Sequence, residues 1–267
     1  MPGPDAPRDA DLGADLELIR AAAVEGGAIA MRFFNRSPEV WMKGGTSPVS
    51  EADYAVDRFL LAELGAARPD YGWLSEETAD TPERLAMERS FIVDPIDGTR
   101  GFLEGSKTWC VSVAVVEKGR PLAGVLACPA TGEVFTATGG GGAWLDGKRL
   151  RTAQGRNPPS VAGPKPMVDA AAERLGRIDR AAYIPSLAYR IAKVAAGRID
   201  ATFVKPNAHD WDLAAADLIL SEADGAVVDP AGRPLAYGGA DPRHGALLAS
   251  GAYLLDKLAE VLAETSQ

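Results

Sequence analysis

The run from Phe91 to Thr99 constrains most strongly what this chain can fold into. Its apolar start predicts a buried strand that reaches a carboxylate at Asp94. Strand side chains alternate between faces, so Asp94 and Asp97 would point to opposite sides of a regular strand. Pro95 and Gly98 are expected to break the strand, and the resulting turn can bring Asp97 round to join Asp94.

This run combines residues suited to a cation with residues suited to a phosphate. Hard divalent cations such as Mg²⁺ prefer carboxylate oxygens, and a helix starting near Thr99 would offer free N–H groups to an anion. The alternative is an ordinary Asp-Gly turn at Asp97 with Asp94 as a solvated strand end. Two further acidic stretches, at 76–77 and 210–212, weaken that alternative.

Taken together, these stretches resemble the inositol monophosphatase superfamily of Mg²⁺-dependent, often lithium-sensitive phosphatases. Residues 94–99 match its central motif, 76–77 its acidic pair and 211–212 its distal motif. Residues 43–53 resemble its N-terminal segment. The resemblance extends from about Leu16 to the C-terminus.

Mixed helix-like and strand-like segments in two halves predict an α/β fold in layers. The resemblance implies a layered α/β/α/β/α sandwich of the inositol monophosphatase and sugar phosphatase type, with the site between the halves. A stretch rich in Pro and Gly at 152–166 predicts a boundary. We therefore expect an N-terminal α+β subdomain, 1–150, with most metal ligands, and a C-terminal α/β subdomain, 151–267, that completes the site.

The resemblance also implies roles for individual residues. The implied metal ligands are Glu76, Asp94, the backbone carbonyl of Ile96, Asp97 and Asp212. Glu76 and Thr99 are expected to orient the attacking water, and Asp53 to support Thr99 in catalysis. The amides of Gly98 and Thr99 are expected to hold phosphate oxygens.

Three of these residues have structural alternatives in the sequence itself. Asp53 fits a capping box with Ser50, and Thr99 and Asp212 fit helix N-caps. A capped helix can still direct its first turn at a site, so both interpretations can hold together.

The expected cofactor is Mg²⁺, because several carboxylates around one point would repel one another without cations. Two or three ions are expected, and the resemblance implies Li⁺ as an inhibitor. Zinc is disfavoured because the chain has two His, two Cys and no His-Cys cluster.

The substrate prediction depends on Lys205. Inositol monophosphatases carry an acidic residue at this position, seven before the distal Asp, where it binds ring hydroxyls. A lysine suits a second anionic group better. Ser186 and Arg190, in a helix of a region that contacts substrate in the family, are further substrate-binding candidates.

These residues favour a bisphosphorylated substrate such as 3′-phosphoadenosine 5′-phosphate, as in CysQ-type 3′(2′),5′-bisphosphate nucleotidases. In the alternative, Lys205 is a solvated strand-end charge and the chain is an inositol-1-monophosphatase or a histidinol-phosphate phosphatase. A third hypothesis is a non-enzymatic metal- or ligand-binding regulator.

The net charge of −9 argues against nonspecific binding to nucleic acid polymers or anionic membranes. No apolar run approaches the ~20 residues of a membrane helix, and the N-terminus lacks a signal-peptide pattern. Cys110 and Cys128 lie in apolar runs typical of buried thiols. We therefore expect a cytoplasmic protein with a small phosphorylated substrate, no membrane partner, and a homodimer as in many family members.

Overall fold

The structure is a computed structural model that describes residues 6–43 and 47–265. The N-terminal motif predicted at 43–53 thus includes three residues, 44–46, that lie outside the described part. The described α-helices are α1 (Ala6–Met31), α2 (Glu51–Ala67), α3 (Thr99–Leu103), α4 (Lys165–Leu175), α5 (Leu187–Ala195), α6 (Asp210–Ser221) and α7 (Ala252–Thr265). A 3₁₀ helix spans Pro82–Ala86. In the described ranges, no helix is both long and apolar enough to cross a membrane.

The larger sheet has seven strands whose spatial order follows the chain. They are β3 (Gly72–Ser75), β4 (Arg89–Asp97), β5 (Cys110–Glu117), β6 (Arg120–Cys128), β7 (Glu133–Thr138), β8 (Gly142–Leu145) and β9 (Lys148–Arg149). Strands β3 and β4 are parallel, and the remaining neighbours are antiparallel.

The smaller sheet has five strands in the order β11-β10-β12-β16-β14. They are β10 (Ser160–Ala162), β11 (Asp179–Arg180), β12 (Ala201–Val204), β14 (Gly225–Val228) and β16 (Leu247–Gly251). Strand β10 runs parallel to β11 and β12, and β16 runs antiparallel to β12 and β14. Two short antiparallel pairs lie outside both sheets: β1 (Val40–Lys43) with β2 (Ser47–Ser50), and β13 (Ala208–His209) with β15 (Arg243–His244).

Three hydrophobic clusters stack these elements into five layers. The first joins α1 and α2 to one face of the larger sheet. The second places α5 and α6 between the two sheets, and the third joins α4 and α7 to the far face of the smaller sheet. Because each helix or sheet buries an apolar face against its neighbour, the order is α/β/α/β/α. The predicted layered sandwich is confirmed.

The division at about residue 150 stays a prediction. The larger sheet ends at Arg149 and the smaller sheet lies beyond it. The segment 152–166 is more than a connection, because it contains β10, a strand of the smaller sheet. Helices from the second half share the central cluster with strands from the first.

The expected break of the strand at Pro95 is wrong. Strand β4 continues to Asp97, and its pairing with β5 shifts between Asp94 and Asp97. Asp94 lies opposite Ser112 and Asp97 opposite Cys110, so three steps on β4 match two on β5. One extra residue in a β-bulge reverses the alternation of faces. The bulge therefore places both carboxylates on the same face, toward α5 and α6.

Candidate active site

A cavity of about 700 Å³ lies where β3 and β4 end, beside the first turns of α3 and α6 and along α5. The predicted site residues that line it are Glu76, Asp94, Asp97, Gly98, Thr99, Arg190, Lys205 and Asp212. Asp53, Ile96 and Ser186 are not among the lining residues. The fold thus brings together most of the predicted residues, and each of the other three forms a hydrogen bond with a lining residue.

Three carboxylates converge at this cavity. One oxygen each of Asp94, Asp97 and Asp212 lies within 4.8 Å of the other two. Glu76 follows β3, and its amide donates to the carbonyl of Val93 at 3.2 Å, which places it beside the end of β4. Two adjacent strand ends and one helix start therefore supply the acids.

Burial and mutual repulsion disfavour the charged forms of these acids. Burial raises the pKa of Asp94 well above its usual range, and the charges of Glu76, Asp97 and Asp212 raise it further. Burial, followed by the charge of Asp97, raises the pKa of Asp212 to about 7. A set of close, buried carboxylate oxygens fits a hard divalent cation, which would remove this repulsion.

Asp97 is also the anchor of helix α5. The Ser186 hydroxyl donates to its carboxylate, and so do the backbone amides of Ala188 at 2.7 Å and Leu187 at 3.3 Å. Burial raises the pKa of Asp97, and these hydrogen bonds oppose the rise. Ser186 is fully buried behind Asp97. This placement indicates an effect of Ser186 through Asp97 rather than the substrate contact expected from the sequence.

Asp53 forms its expected capping box and also contacts Thr99, while its catalytic role stays a prediction. Its carboxylate accepts from the Ser50 amide at 2.8 Å and the Ser50 hydroxyl at 2.6 Å, which forms the capping box of α2. The Thr99 hydroxyl lies 3.1 Å from the other Asp53 oxygen and 3.0 Å from the carbonyl of Ile96. Since a hydroxyl has one hydrogen, Thr99 donates to one of them at a time.

Two expected N-caps are corrected by the structure. The N-cap of α3 is Gly98, in a left-handed conformation with φ of 97°, and Thr99 is the first helical residue. The N-cap of α6 is His209, and Asp212 lies three residues later. The Asp212 carboxylate accepts from the His209 amide at 2.7 Å, which fixes one of its oxygens at the cavity.

Gly98→Ala is expected to lower the free energy of unfolding by roughly 1–3 kcal/mol, because a side chain is strained at this φ and a Cβ would lie 3.0 Å from Cβ of Ser186. The displaced Ser186 would disturb Asp97, so kcat should fall too. Urea unfolding and steady-state kinetics measure both effects. The matched control is Gly132→Ala, with φ of 73° and nothing within 4 Å of the added Cβ. Equal costs at the two glycines, with kcat unchanged, would contradict the expected contact.

Three cationic residues line the same cavity: Arg100, which was not among the predicted site residues, Arg190 and Lys205. Arg190 lies in α5, and its Nη1 donates to the carbonyl of Ile184 at 3.3 Å. Its Nε is buried and has no hydrogen-bond partner among the described residues. Burial lowers the pKa of Arg190, and the charge of Asp97 opposes that shift. Lys205 follows β12 and is exposed at the cavity.

The sequence profile of the inositol monophosphatase family matches residues 15–267 of this chain. The chain belongs to the inositol monophosphatase family. It is thus a member of a family of phosphomonoesterases, and these enzymes depend on a metal, typically Mg²⁺. The family resemblance predicted from the three acidic motifs is confirmed.

Individual relatives support the assignment of this chain to the inositol monophosphatase family. The chain is 34% identical over 236 residues to the inositol-1-monophosphatase of Mesorhizobium japonicum, and the match covers 80% of this chain and 85% of the relative. It is 31% identical over 240 residues to the 3′(2′),5′-bisphosphate nucleotidase CysQ of Aggregatibacter actinomycetemcomitans, covering 83% and 87%. The solved structure of the suhB protein of Bartonella henselae matches with a TM-score of 0.81 at 29% identity, covering 93% and 98%.

One buried carboxylate beside the family site was missed by the sequence reasoning. Asp57 accepts hydrogen bonds from the hydroxyls of Ser75 and Thr78, on either side of Glu76. The available signal was spacing, because Asp57 follows Asp53 by four residues on a predicted helix and so shares its face. Its partners could not be foreseen, since they lie 18 and 21 residues away in the chain.

Proposed function

We propose that this chain is a 3′(2′),5′-bisphosphate nucleotidase that hydrolyses a phosphate monoester of a small bisphosphorylated nucleotide such as 3′-phosphoadenosine 5′-phosphate. The observation that carries the proposal is that one cavity is lined both by the converging acids and by Arg190 and Lys205. Acids with bound cations suit the phosphate that is cleaved. The two basic side chains suit a second phosphate that is retained.

The proposed ligands of two or three Mg²⁺ are the carboxylates of Glu76, Asp94, Asp97 and Asp212 and the carbonyl of Ile96. When bound, Mg²⁺ would stabilise negative charge on the phosphate and lower the pKa of a coordinated water. The donor set fits this ion because it consists of oxygens alone, three of them within 4.8 Å of one another.

Thr99 and Asp53 are proposed to orient the attacking water. While Thr99 donates to Asp53, its oxygen can accept a hydrogen bond from a water in the cavity. Burial raises the pKa of Asp53, which strengthens this carboxylate as an acceptor. We further propose that the amides of Gly98 and Thr99 hold the phosphate oxygens and that Glu76 helps to orient the water.

The retained phosphate is assigned to Arg190 and Lys205. The buried Nε of Arg190 lacks a partner among the described residues, so an anion in the cavity could satisfy it. Among the residues that the structure describes, Lys205 forms no ion pair with a carboxylate, and it adds a positive charge after β12 of the smaller sheet. A neutral polyol would use neither charge.

The alternative is an inositol-1-monophosphatase or a histidinol-phosphate phosphatase. The relatives from Mesorhizobium japonicum and Rhizobium meliloti, 34% and 32% identical, are inositol-1-monophosphatases, which favours the first of these. Under this alternative, Lys205 stays solvated and contributes nothing to substrate affinity.

Lys205→Ala is expected to raise KM for 3′-phosphoadenosine 5′-phosphate about tenfold. This factor is at the lower end of the range for loss of a hydrogen bond to a charged group, because Lys205 is exposed. KM for inositol 1-phosphate should not change. Phosphate release measures both. The matched control is Lys257→Ala, an exposed lysine on α7 away from the cavity. Equal effects of Lys205→Ala on the two substrates would contradict the assignment of Lys205.

The test of the proposed function is phosphate release with Mg²⁺ and with EDTA. The panel is 3′-phosphoadenosine 5′-phosphate, inositol 1-phosphate, histidinol phosphate and fructose 1,6-bisphosphate. We expect Mg²⁺-dependent turnover with the highest kcat/KM for the nucleotide. Preference for a monophosphate would reject the nucleotidase and leave the metal site in place. Metal binding without turnover of any ester would favour the regulator hypothesis.

Inhibition by Li⁺, a homodimer and a cytoplasmic location stay predictions. Titration of Li⁺ against Mg²⁺-supported turnover tests the first. Light scattering after gel filtration tests the second. Fractionation of cells that produce the protein tests the third.

A further inference from the structure

We propose that Asp57 is a positioning residue for Glu76. In this view α2 carries two buried carboxylates one helical turn apart, and each holds one acidic segment of the site. Asp53 holds the segment at 94–99 through Thr99, and Asp57 holds the segment at 75–78. The inference rests on the proposed role of Glu76 as a metal ligand.

The two residues that donate hydrogen bonds to Asp57 flank Glu76 in the sequence. The Ser75 hydroxyl donates to Oδ1 of Asp57 at 2.5 Å, and the Thr78 hydroxyl donates to Oδ2 at 2.6 Å. The Glu77 amide donates to the Ser75 oxygen at 3.3 Å, so the turn after Glu76 is tied to the same group. Within 75–78, Glu76 is the residue that lines the cavity.

Burial makes this arrangement rigid. Asp57 is 4% exposed and Ser75 is 3% exposed. Hydrogen bonds to a carboxylate are about twice as strong as those between neutral groups, and a buried carboxylate that loses its donors carries a large penalty. Asp57 therefore has one favourable position, with both hydroxyls in place. That position fixes the backbone of residues 75–78 and with it the direction of the Glu76 side chain.

Helix geometry explains why one element can hold both segments. Residues four apart on a helix lie one above the other on the same face, so Asp53 and Asp57 both face the ends of β3 and β4. These parallel neighbours end at the same edge of the sheet. Movement of α2 would displace Thr99 and Glu76 together.

Asp57→Asn tests the inference, because the amide keeps the shape but leaves one acceptor oxygen for two hydroxyl donors. We expect kcat to fall by about 10–100-fold and the Mg²⁺ concentration for half-maximal activity to rise by a similar factor, the range for residues that orient metal ligands. Substrate KM should stay within about twofold. Calorimetric titration with Mg²⁺ alone should show the same loss of affinity without any turnover.

A double-mutant cycle with Glu76→Gln separates positioning from a general structural effect. If Asp57 acts through Glu76, adding Asp57→Asn to Glu76→Gln should change kcat by less than about twofold. Full multiplication of the two effects would overturn the inference. Full activity of Glu76→Gln would overturn the role of Glu76 in the proposed function, and the inference with it.

Two further variants keep the test decisive if Asp57→Asn does not fold. Thr78→Val removes one donor at nearly constant shape and should shift Mg²⁺ affinity in the same direction by a smaller factor. An unchanged Mg²⁺ affinity in Thr78→Val would overturn the inference. The control is Asp15→Asn, a fully buried carboxylate of α1 that accepts from Arg68, Tyr71 and Arg89. It should lower the midpoint of urea unfolding and leave Mg²⁺ affinity unchanged.

Discussion

Asp94→Asn is expected to lower kcat at least about a thousandfold while the fold stays intact. A cation that stabilises transition-state charge contributes several kcal/mol, and each 1.36 kcal/mol is a factor of ten in rate. The charges of Glu76, Asp97 and Asp212 all raise the pKa of Asp94, which places it close to the other three acids. Loss of the Asp94 carboxylate should therefore remove the Mg²⁺ ion that these acids are proposed to share. Phosphate release with saturating Mg²⁺ and calorimetric Mg²⁺ titration measure the two effects.

The same substitution should leave thermal stability unchanged or raise it when Mg²⁺ is absent. Burial and negative neighbours raise the pKa of Asp94 well above its usual range, so a charged Asp94 destabilises the metal-free fold. An amide removes that repulsion. Its oxygen can still accept the hydrogen bond from the Ile96 amide, which is 3.0 Å long in the native chain.

Asp97→Asn is the matched comparison, because it removes the same charge from the same strand. Its carboxylate also accepts from Ser186 and from two amides of α5, and an amide has one oxygen for these donors. This variant should lose activity and also about 1–3 kcal/mol of unfolding free energy.

More than about a tenth of native activity in Asp94→Asn would reject Asp94 as a metal ligand.

Sequence reasoning identified the acids but not the way the backbone assembles them. Asp94 and Asp97 were expected to meet across a turn at Pro95, whereas β4 continues and a β-bulge aligns them. A bulge depends on the pairing between two strands, here β4 against β5. Local residue preferences carry no information on that register. The prediction therefore placed Asp94 beside Asp97 correctly but gave the wrong backbone conformation between them.

One local motif was predicted correctly because its partners are close in the chain, whereas the N-caps expected at Thr99 and Asp212 were wrong. The capping box of Ser50 and Asp53 spans three residues, and the structure has it. Ser186 was different, because its buried contact with Asp97 joins residues 89 apart. The fold could be foreseen from the family resemblance, and the long-range hydrogen bonds behind the cavity could not.

Without Mg²⁺, the stability of the protein is expected to fall as pH rises from about 4 to 7. The pKa of Asp212 is raised from its usual value of 3.8 to about 7, mainly by burial. The folded state thus keeps a proton that the unfolded state has lost. This contribution to stability is fully present below pH 3.8 and is lost as pH rises through about 7. Its size is a few kcal/mol, since each unit of pKa shift corresponds to about 1.4 kcal/mol.

Mg²⁺ should oppose this trend, because carboxylates bind a metal when they are deprotonated. A hundredfold excess over Kd stabilises by about 2.7 kcal/mol, so the gain in Tm on adding Mg²⁺ should be larger at pH 8 than at pH 5. Thermal unfolding with EDTA and with Mg²⁺ from about pH 4 to 8 measures both slopes. Asp212→Asn should flatten the EDTA slope only in part, since burial also raises the pKa of Asp217 to about 6. Burial lowers the pKa of His209 from 6.5, so this residue adds a slope of opposite sign below pH 6.5. An EDTA slope that rises with pH above 6.5 would mean that these carboxylates are stabilised as anions without a metal, and would reject the repulsive acid cluster on which the proposed Mg²⁺ site depends.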